Sequence, residues 1–171
     1  DGATDNTIKN CVLIGNTNTT TLFGAGSGSS TIGASSFGVG NDNNSFINNK
    51  VQKTQYGIYS GGASVVNKNL GTVINLNELN SASPNNILRT GILVKFEDNI
   101  LISGNSIGNT NTTELTASHG IACGGEASGS YTSFSGSEVT SATITYNVID
   151  NIVRAQSFGG ALGIYISSVG S

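Results

Sequence analysis

A short pattern of apolar residues around a fixed asparagine recurs along this chain. It reads apolar-x-x-Asn-x-apolar and occurs at residues 46–51, 74–79, 102–107 and 144–149, and a fifth copy at 8–13 carries Cys11 in the Asn position. Each copy has the length and period of short strands, which cannot bury a core alone. Stacking the copies in parallel lines up their apolar residues in a common core. The pattern therefore predicts a solenoid of stacked strands.

A second element, a glycine followed by an apolar alternating run, lies between the copies. It begins at Gly38, Gly57, Gly91, Gly120 and Gly163. Because the two elements alternate along the chain, each coil is expected to hold three strands. The predicted inner columns are Ile8, Phe46, Ile74, Ile102 and Ile144; then Leu13, Val51, Leu79, Ile107 and Ile149; then Val39, Ile58, Ile92, Ile121 and Ile164.

A longer internal repeat supports this division. The segment 14–22 recurs at 107–115 with one difference in nine positions, at an offset of 93 residues. An offset of this size divides into three coils of about 31 residues, which is typical of stacked-repeat architectures.

The recurring asparagines are interpreted as structural. Asn tolerates the left-handed backbone region and hydrogen-bonds to neighbouring backbone groups, so it favours sharp bends. Stacked amides can also bond to one another along a column. We expect such a ladder from Asn49, Asn77, Asn105 and Asn147.

Composition agrees with an all-β chain. Of 171 residues, 24 are Gly, 22 Asn, 23 Ser and 18 Thr, together about half of the sequence. These residues fill turns and short strands and are poor helix formers. The 36% hydrophobic content and the net charge of −3 argue against disorder. Seven scattered Lys and Arg residues argue against nucleic acid as a partner, and no stretch is apolar enough to enter a membrane.

From about residue 6 to residue 166 the chain resembles the right-handed parallel β-helix of the pectate-lyase-like superfamily. The likeness is carried by Asn-containing coils such as 102–109. It implies one all-β domain over 1–171, with about five to six coils. Because a solenoid needs polar caps and the repeat pattern shows none, we expect this domain to be a fragment of a longer repeat-containing chain. The Asn-, Thr- and Gly-rich composition is also similar to that of bacterial cell-surface proteins, which implies an extracellular location.

Function in a solenoid usually lies in segments that interrupt the repeat. Three insertions are predicted, at 15–36, 80–90 and 124–141. The first insertion contains a flexible loop of small residues at 24–30. Cys11 and Cys123 are expected to be small buried hydrophobic residues.

Five acidic residues are predicted near the bend that follows the Gly-apolar strand. Some lie at the bend itself, and the others lie in the insertion at the same bend. A calcium site there would use Glu97, Asp98, Glu126 and Glu138, since Ca²⁺ accepts irregular oxygen ligands. The preferred interpretation, however, is a solvated, weakly repelling acidic edge without any cofactor. Asp42 lies at the same bend.

Aromatic residues offer a second kind of site. Tyr59 and Tyr165 are predicted to face outward from the Gly-apolar strands, where exposed rings could stack on sugars. Tyr131 and Phe134 of the third insertion would extend this glycan-binding surface.

No catalytic residue is predicted. Lyases of the resembled superfamily combine acidic Ca²⁺ ligands with a strong base, yet neither Arg89 nor Arg154 falls beside an acidic residue in the predicted register. Its hydrolases use clustered aspartates, and the nearest approach here is Glu97-Asp98. His119, the only histidine, is interpreted as a structural turn residue.

The expected function is a non-catalytic structural or adhesive segment of a secreted or cell-surface bacterial protein. Its partners would be glycans or other surface proteins, and copies would stack end to end unless the parent chain continues. The alternatives are a polysaccharide lyase or hydrolase fragment and a glycan-binding module.

Overall fold

The computed structural model describes residues 2–31, 33, 38–112, 117–125, 138–155 and 160–167. Glu126, Tyr131 and Phe134, with most of the 124–141 insertion, lie outside the described residues. Those that are described form strands, turns and irregular segments. Across these ranges no helix is long and apolar enough to cross a membrane.

Three large parallel sheets, each of five strands, make up the fold. Sheet 1 contains β1 (Thr7–Lys9), β4 (Ser45–Ile47), β8 (Val73–Asn75), β12 (Leu101–Ser103) and β16 (Thr143–Thr145). Sheet 2 contains β2 (Val12–Ile14), β5 (Lys50–Gln52), β9 (Glu78–Leu79), β13 (Ser106–Gly108) and β17 (Val148–Asp150). Sheet 3 contains β3 (Phe23–Ser27), β6 (Tyr56–Gly61), β10 (Thr90–Lys95), β15 (Ser118–Cys123) and β19 (Ala161–Ile166).

Two smaller parallel pairs lie at the corners between the large sheets. One pairs β7 (Asn69–Leu70) with β11 (Glu97–Asp98), and the other pairs β14 (Asn111–Thr112) with β18 (Val153–Arg154). Successive strands along the chain belong to different sheets, while the strands of one sheet come from successive repeats. This arrangement fits a β-solenoid.

The first two inner columns are confirmed by the strand register. In sheet 1 the register runs from Ile8 through Phe46, Ile74 and Ile102 to Ile144. In sheet 2 Leu13 pairs with Val51, and Ile107 pairs with both Leu79 and Ile149. The middle members of both columns are fully buried. Burial of this kind is the main favourable contribution to folding.

The third column is confirmed except at its first member. Ile58, Ile92, Ile121 and Ile164 align in sheet 3, but Ala25 pairs with Ile58 in the place predicted for Val39. Val39 is 50% exposed. The interpretation of 24–30 as a flexible loop is therefore wrong for β3, because strand pairing uses backbone groups that small residues also supply.

The coils are less regular than the 93-residue repeat suggests. Equivalent Asn-column positions are separated by 38, 28, 28 and 42 residues, not by a constant 31 or so. Inserted segments lengthen the first and fourth intervals without shifting the register.

The glycines that begin the sheet 3 strands have a packing reason. A Cβ placed on Gly91 would lie 2.3 Å from Ile107 Cγ2, and one on Gly57 would lie 2.4 Å from the Gly91 carbonyl oxygen. Both distances are far below van der Waals contact. Sheet 3 approaches the second inner column so closely here that no side chain fits.

The bend between sheets 1 and 2 is made by the residue before each predicted ladder position. Asn10, Asn48, Leu76, Gly104 and Tyr146 all have positive φ, including 57° at Leu76 and 55° at Tyr146. The ladder residue itself does not adopt the left-handed conformation, so the prediction placed the bend one residue too late. Left-handed backbone is costly for Leu and Tyr, and the stacked strands on both sides hold it in place.

Candidate functional site

The predicted ladder asparagines form a continuous hydrogen-bonded column inside the corner of sheets 1 and 2. The Asn77 side-chain oxygen accepts from the backbone N–H of Asn49 at 2.9 Å and from its amide nitrogen at 3.1 Å. Asn105 does the same for Asn77, and Asn147 does the same for Asn105. Each amide nitrogen also donates to a backbone carbonyl oxygen, as Asn77 does to Phe46 at 2.9 Å. The amides of Asn77 and Asn105 each donate two and accept two hydrogen bonds within the column, so they have nothing left for a ligand.

The two cysteines are in different environments. Cys123 is buried in the core, and burial raises the pKa of its thiol to about 12, as expected for an inert packing residue. Cys11 is exposed, so the prediction that it is buried is wrong. Its backbone N–H donates to Asn49 Oδ1 at 3.0 Å, and its thiol donates to the Lys9 carbonyl oxygen at 3.3 Å. Cys11 therefore ends the asparagine column.

The outward side of sheet 3 carries an aromatic cluster that is packed rather than open. Tyr59 is only 2% exposed and stacks on Phe23, with ring centroids 4.8 Å apart and planes 11° apart. Phe23 also contacts Tyr56, over which the Arg89 guanidinium lies at 5.4 Å. The expectation that Tyr59 is exposed is wrong, because Phe23 of the preceding coil covers its face.

Tyr165 shares the register position of Tyr59 but lies three strand steps away. Leu93 and Ala122 occupy the two strands between them, so the tyrosines are separated by roughly 14 Å at the usual spacing of paired strands. Tyr165 is half-buried against the ring of His119, with centroids 5.5 Å apart. The two rings do not form one continuous platform.

The sequence suggested that His119 lies in a turn. That prediction is wrong, because His119 lies within strand β15. It is fully buried, and its Nδ1 lies 3.4 Å from the Thr90 hydroxyl. The ring is enclosed by the packing of sheet 3. This placement suits a positioned packing residue better than a solvent-reachable base.

The predicted acidic edge is resolved into separate environments. Asp42 accepts a hydrogen bond from the Leu70 backbone N–H at 2.8 Å, and Leu70 pairs with Asp98 one coil further on. The Asp98 carboxylate accepts from the Thr140 hydroxyl at 2.7 Å. Hydrogen bonds from Thr140 and Ser141 lower the pKa of Asp98. Asp42 and Asp98 thus lie two coils apart on the outside of the corner.

Glu138 and Lys68 form an ion pair next to Asp98 and Thr140 on this edge. The Lys68 ammonium lies 3.3 Å from the Glu138 carboxylate and donates to the Thr140 hydroxyl at 3.0 Å. Lys68 therefore offsets part of the negative charge that the sequence places here.

Glu97, predicted to share a calcium site with Asp98, faces the opposite way. Its carboxyl group is fully buried, and Oε1 accepts from the Ser60 hydroxyl at 2.6 Å and from the Asn69 amide at 3.0 Å. Oε2 has no hydrogen-bond partner. Adjacent residues of a strand point to opposite faces, so Glu97 and Asp98 cannot hold one ion together. In the part of the chain that the structure describes, no three His, Cys, Asp or Glu residues gather closely enough to bind a metal.

Burial raises the pKa of Glu97. Ser60, Thr72 and Asn69 lie close enough to oppose this shift, whereas the charge of Asp42 adds to it. The Thr72 hydroxyl is near the carboxyl but lacks the geometry of a hydrogen bond to it. Burial also raises the pKa of Tyr59 to about 12, with a further contribution from the charge of Glu97.

Glu97 occupies the end of a second, unpredicted column. The backbone N–H of Asn41 donates to Asn69 Oδ1 at 3.1 Å, and Asn69 donates to Glu97. The signal was present in the sequence, because Asn41, Asn69 and Glu97 are spaced by 28 residues, like the central ladder asparagines. The replacement of Asn by Glu at the third position concealed it.

The described polar residues are therefore engaged mainly with one another. Comparisons with protein-family models, curated proteins and solved structures find no match to this chain.

Proposed function

We propose that this chain is a non-catalytic structural or adhesive segment of a secreted or cell-surface bacterial protein. We further propose that it is built as a right-handed parallel β-helix of the pectate-lyase-like type with five to six coils. The observation that carries the proposal is the unbroken hydrogen-bonded column from Asn49 to Asn147. Its amides hold neighbouring coils in register along the axis, a role that serves a stalk or scaffold.

The surface composition supports the same proposal. Ser, Thr and Asn dominate the loops, and only 10% of the residues are charged. An uncharged hydroxyl- and amide-rich surface suits contact with hydrated polymers, because each group both donates and accepts hydrogen bonds.

Polysaccharide hydrolysis or elimination is the alternative, and one observation favours it. Asp42 and Asp98 are carboxylates on the same outer edge, at roughly 10 Å for two strand steps. Leu70, about half exposed, stands between them and contributes no proton-transfer group. A general acid and a general base would have to act across that side chain.

An activity assay separates the two. The purified chain is incubated with polygalacturonate, pectin and neutral plant and bacterial polysaccharides, and unsaturated and reducing-end products are measured. We expect no product above a heat-denatured control. Product formation that disappears in both Asp42→Asn and Asp98→Asn would overturn the proposal and establish the enzyme.

An attachment assay tests the adhesive role directly. Beads coated with the chain are compared with albumin-coated beads for retention under flow on polysaccharide-coated glass. Greater retention of the chain-coated beads is expected. Equal retention would restrict the role to scaffolding.

A further inference from the structure

An amide-lined cavity of about 350 Å³ lies at the corner between sheets 2 and 3. Segments from four coils meet there, and the residues that shape its polar wall are Asn18, Ser83, Asn86, Asn109, Asn111 and Asn151. Its volume lies in the range of small-molecule sites. None of the described residues that line it is ionisable.

Part of this wall is fixed before any ligand arrives. Asn86 is 3% exposed, accepts from the Asn18 amide at 3.2 Å and donates to the Ile87 carbonyl oxygen at 3.0 Å. Asn109 donates to the Asn80 carbonyl oxygen at 2.5 Å and accepts from the Asn151 amide at 2.6 Å. These bonds orient the amides, so binding would cost little side-chain entropy.

Other groups of the same wall remain available. The Asn111 side chain is exposed and makes no hydrogen bond to the described residues, and the same holds for the oxygens of Asn18 and Asn151. The cavity thus combines two anchored amides with one amide and two carbonyl oxygens that have no hydrogen-bond partner among the described residues. Such a set can both donate to and accept from a ligand.

The long sequence repeat contributes both ends of this wall. Asn18 and Asn111 occupy the same position in the repeated segments 14–22 and 107–115. The second coil has a short connection between β5 and β6, so the first segment reaches past it to Asn86 of the third coil. The repeat therefore places two equivalent amides in one cavity.

We propose that this cavity binds one or two units of a neutral saccharide. Adjacent hydroxyl groups of a sugar donate and accept hydrogen bonds at close spacing. A side-chain amide also donates and accepts hydrogen bonds from neighbouring atoms, so the two groups match. With no cationic group in the wall, a uronate, phosphate or nucleotide would lose its hydration without a compensating ion pair. This inference rests on the proposed adhesive function and names the chemistry of its ligand.

Titration of the whole chain with saccharides tests the inference. The probes are neutral trisaccharides of glucose, galactose, mannose and xylose, with trigalacturonate as the charged comparison, and binding is followed by saturation-transfer NMR and calorimetry. We expect at least one neutral trisaccharide to bind, and Asn111→Ala to weaken it about tenfold, the loss of one to two hydrogen bonds. Asn18→Ala provides an independent second variant.

Asn67→Ala is the matched control, because Asn67 is an exposed loop asparagine outside the cavity. It should leave the affinity unchanged. Asn67→Ala and Asn111→Ala should unfold at the wild-type temperature, whereas Asn18→Ala also loses its hydrogen bond to Asn86 and should unfold at a slightly lower one. Failure of every neutral trisaccharide to bind, equal or tighter binding of trigalacturonate, or unchanged affinity in both Asn111→Ala and Asn18→Ala would each overturn the inference.

The bead assay keeps this inference distinct from the proposed function. If beads coated with wild type and with Asn111→Ala are retained equally, and no saccharide binds in the titration, the inference is wrong and the adhesive role stands. Saccharide binding without bead retention removes the adhesive role and keeps the cavity.

Discussion

The two internal columns of this molecule use the same amide chemistry, but one is continuous and the other stops. In the column from Asn49 to Asn147, Asn49, Asn77 and Asn105 each donate onward to the side-chain oxygen of the next member. In the column of Asn41, Asn69 and Glu97 the last member accepts two hydrogen bonds, and its Oε2 has no partner. A carboxylate can end a column of amides but cannot extend it, because it has no hydrogen to donate.

A carboxylate placed in the continuous column should have the largest effect on stability. Asn77→Asp removes the donors to Asn105 Oδ1 and to the Phe46 carbonyl oxygen and sets a buried charge against both. We expect a loss of about 3–5 kcal/mol of unfolding free energy at neutral pH, the usual cost of an uncompensated buried charge. Urea unfolding followed by circular dichroism measures it. A loss that does not shrink under acidic conditions, where the new carboxyl is protonated, would contradict this explanation.

Asn77→Ala removes the same amide without adding charge. The Asn49 N–H and the Phe46 carbonyl oxygen lose their partners, which costs about 2–3 kcal/mol. The same urea experiment should place this variant between wild type and Asn77→Asp. Asn67→Ala, at an exposed loop, should change the midpoint little. Equal effects at the two sites would mean that the column does not stabilise the stack.

Glu97→Gln should remove the buried charge at the end of the second column. Glutamine keeps the acceptor for Ser60 and Asn69 and places an amide where Oε2 has no partner. We expect stabilisation by about 1–2 kcal/mol at neutral pH, since the charged group no longer has to be buried. Thermal unfolding measures the gain. A destabilised Glu97→Gln would show that the charge itself is required.

The same variant should change the pH dependence of stability. The pKa of Glu97 is raised in the folded state, so that state binds the proton more tightly than the unfolded chain. Its contribution to stability is complete below the unfolded pKa of about 4.3 and is lost as pH rises through the folded pKa. The advantage of Glu97→Gln over wild type should therefore grow with pH above this point. The facing titratable groups are Asp42 and Tyr59, and Asp42→Asn tests whether its charge adds to the effect.

Cys11→Asn should have the smallest effect. Cys11 occupies the ladder position of the first copy, and its backbone N–H already donates to Asn49 Oδ1. An asparagine adds the amide donation that the other copies make, but at an exposed site, so we expect a gain of about 0.5–1 kcal/mol. Thermal unfolding under reducing conditions measures it. Cys11→Ser, which lacks an amide, should give no gain.

Much of the fold could be predicted because its signal repeats. Ile58, Ile92 and Ile121 recur after glycine, and a register that buries one of them buries all. Ala25 could not be recognised, because Val39 is the more hydrophobic candidate and the local pattern does not show which segment reaches sheet 3. The left-handed bends at Leu76 and Tyr146 were also hidden, since stacking imposes them against the residues' own preferences.

The candidate sites depended on side-chain direction, which is harder to predict. The sequence predicts the correct bend for Glu97 and Asp98, but adjacent residues face opposite sides. Glu97 is therefore an internal acceptor, and Asp98 is a surface carboxylate. The sequence predicts the correct face for Tyr59, but Phe23, which covers its ring, belongs to β3, a strand that the sequence pattern does not show. The cavity wall joins residues 18 to 151, and only the equivalence of Asn18 and Asn111 was visible beforehand.

The spacing of the coils also sets how this chain must fold. In the three large sheets, the strand partners described here are 28 or more residues apart, as in Phe46 to Ile74 and Ile102 to Ile144. The first pair of coils therefore closes a long loop before any strand contact compensates for the lost chain entropy. Once that pair exists, each further coil adds to a formed template. Assembly should thus be slow to nucleate and rapid to propagate, and the 28-residue central coils should be the first to form.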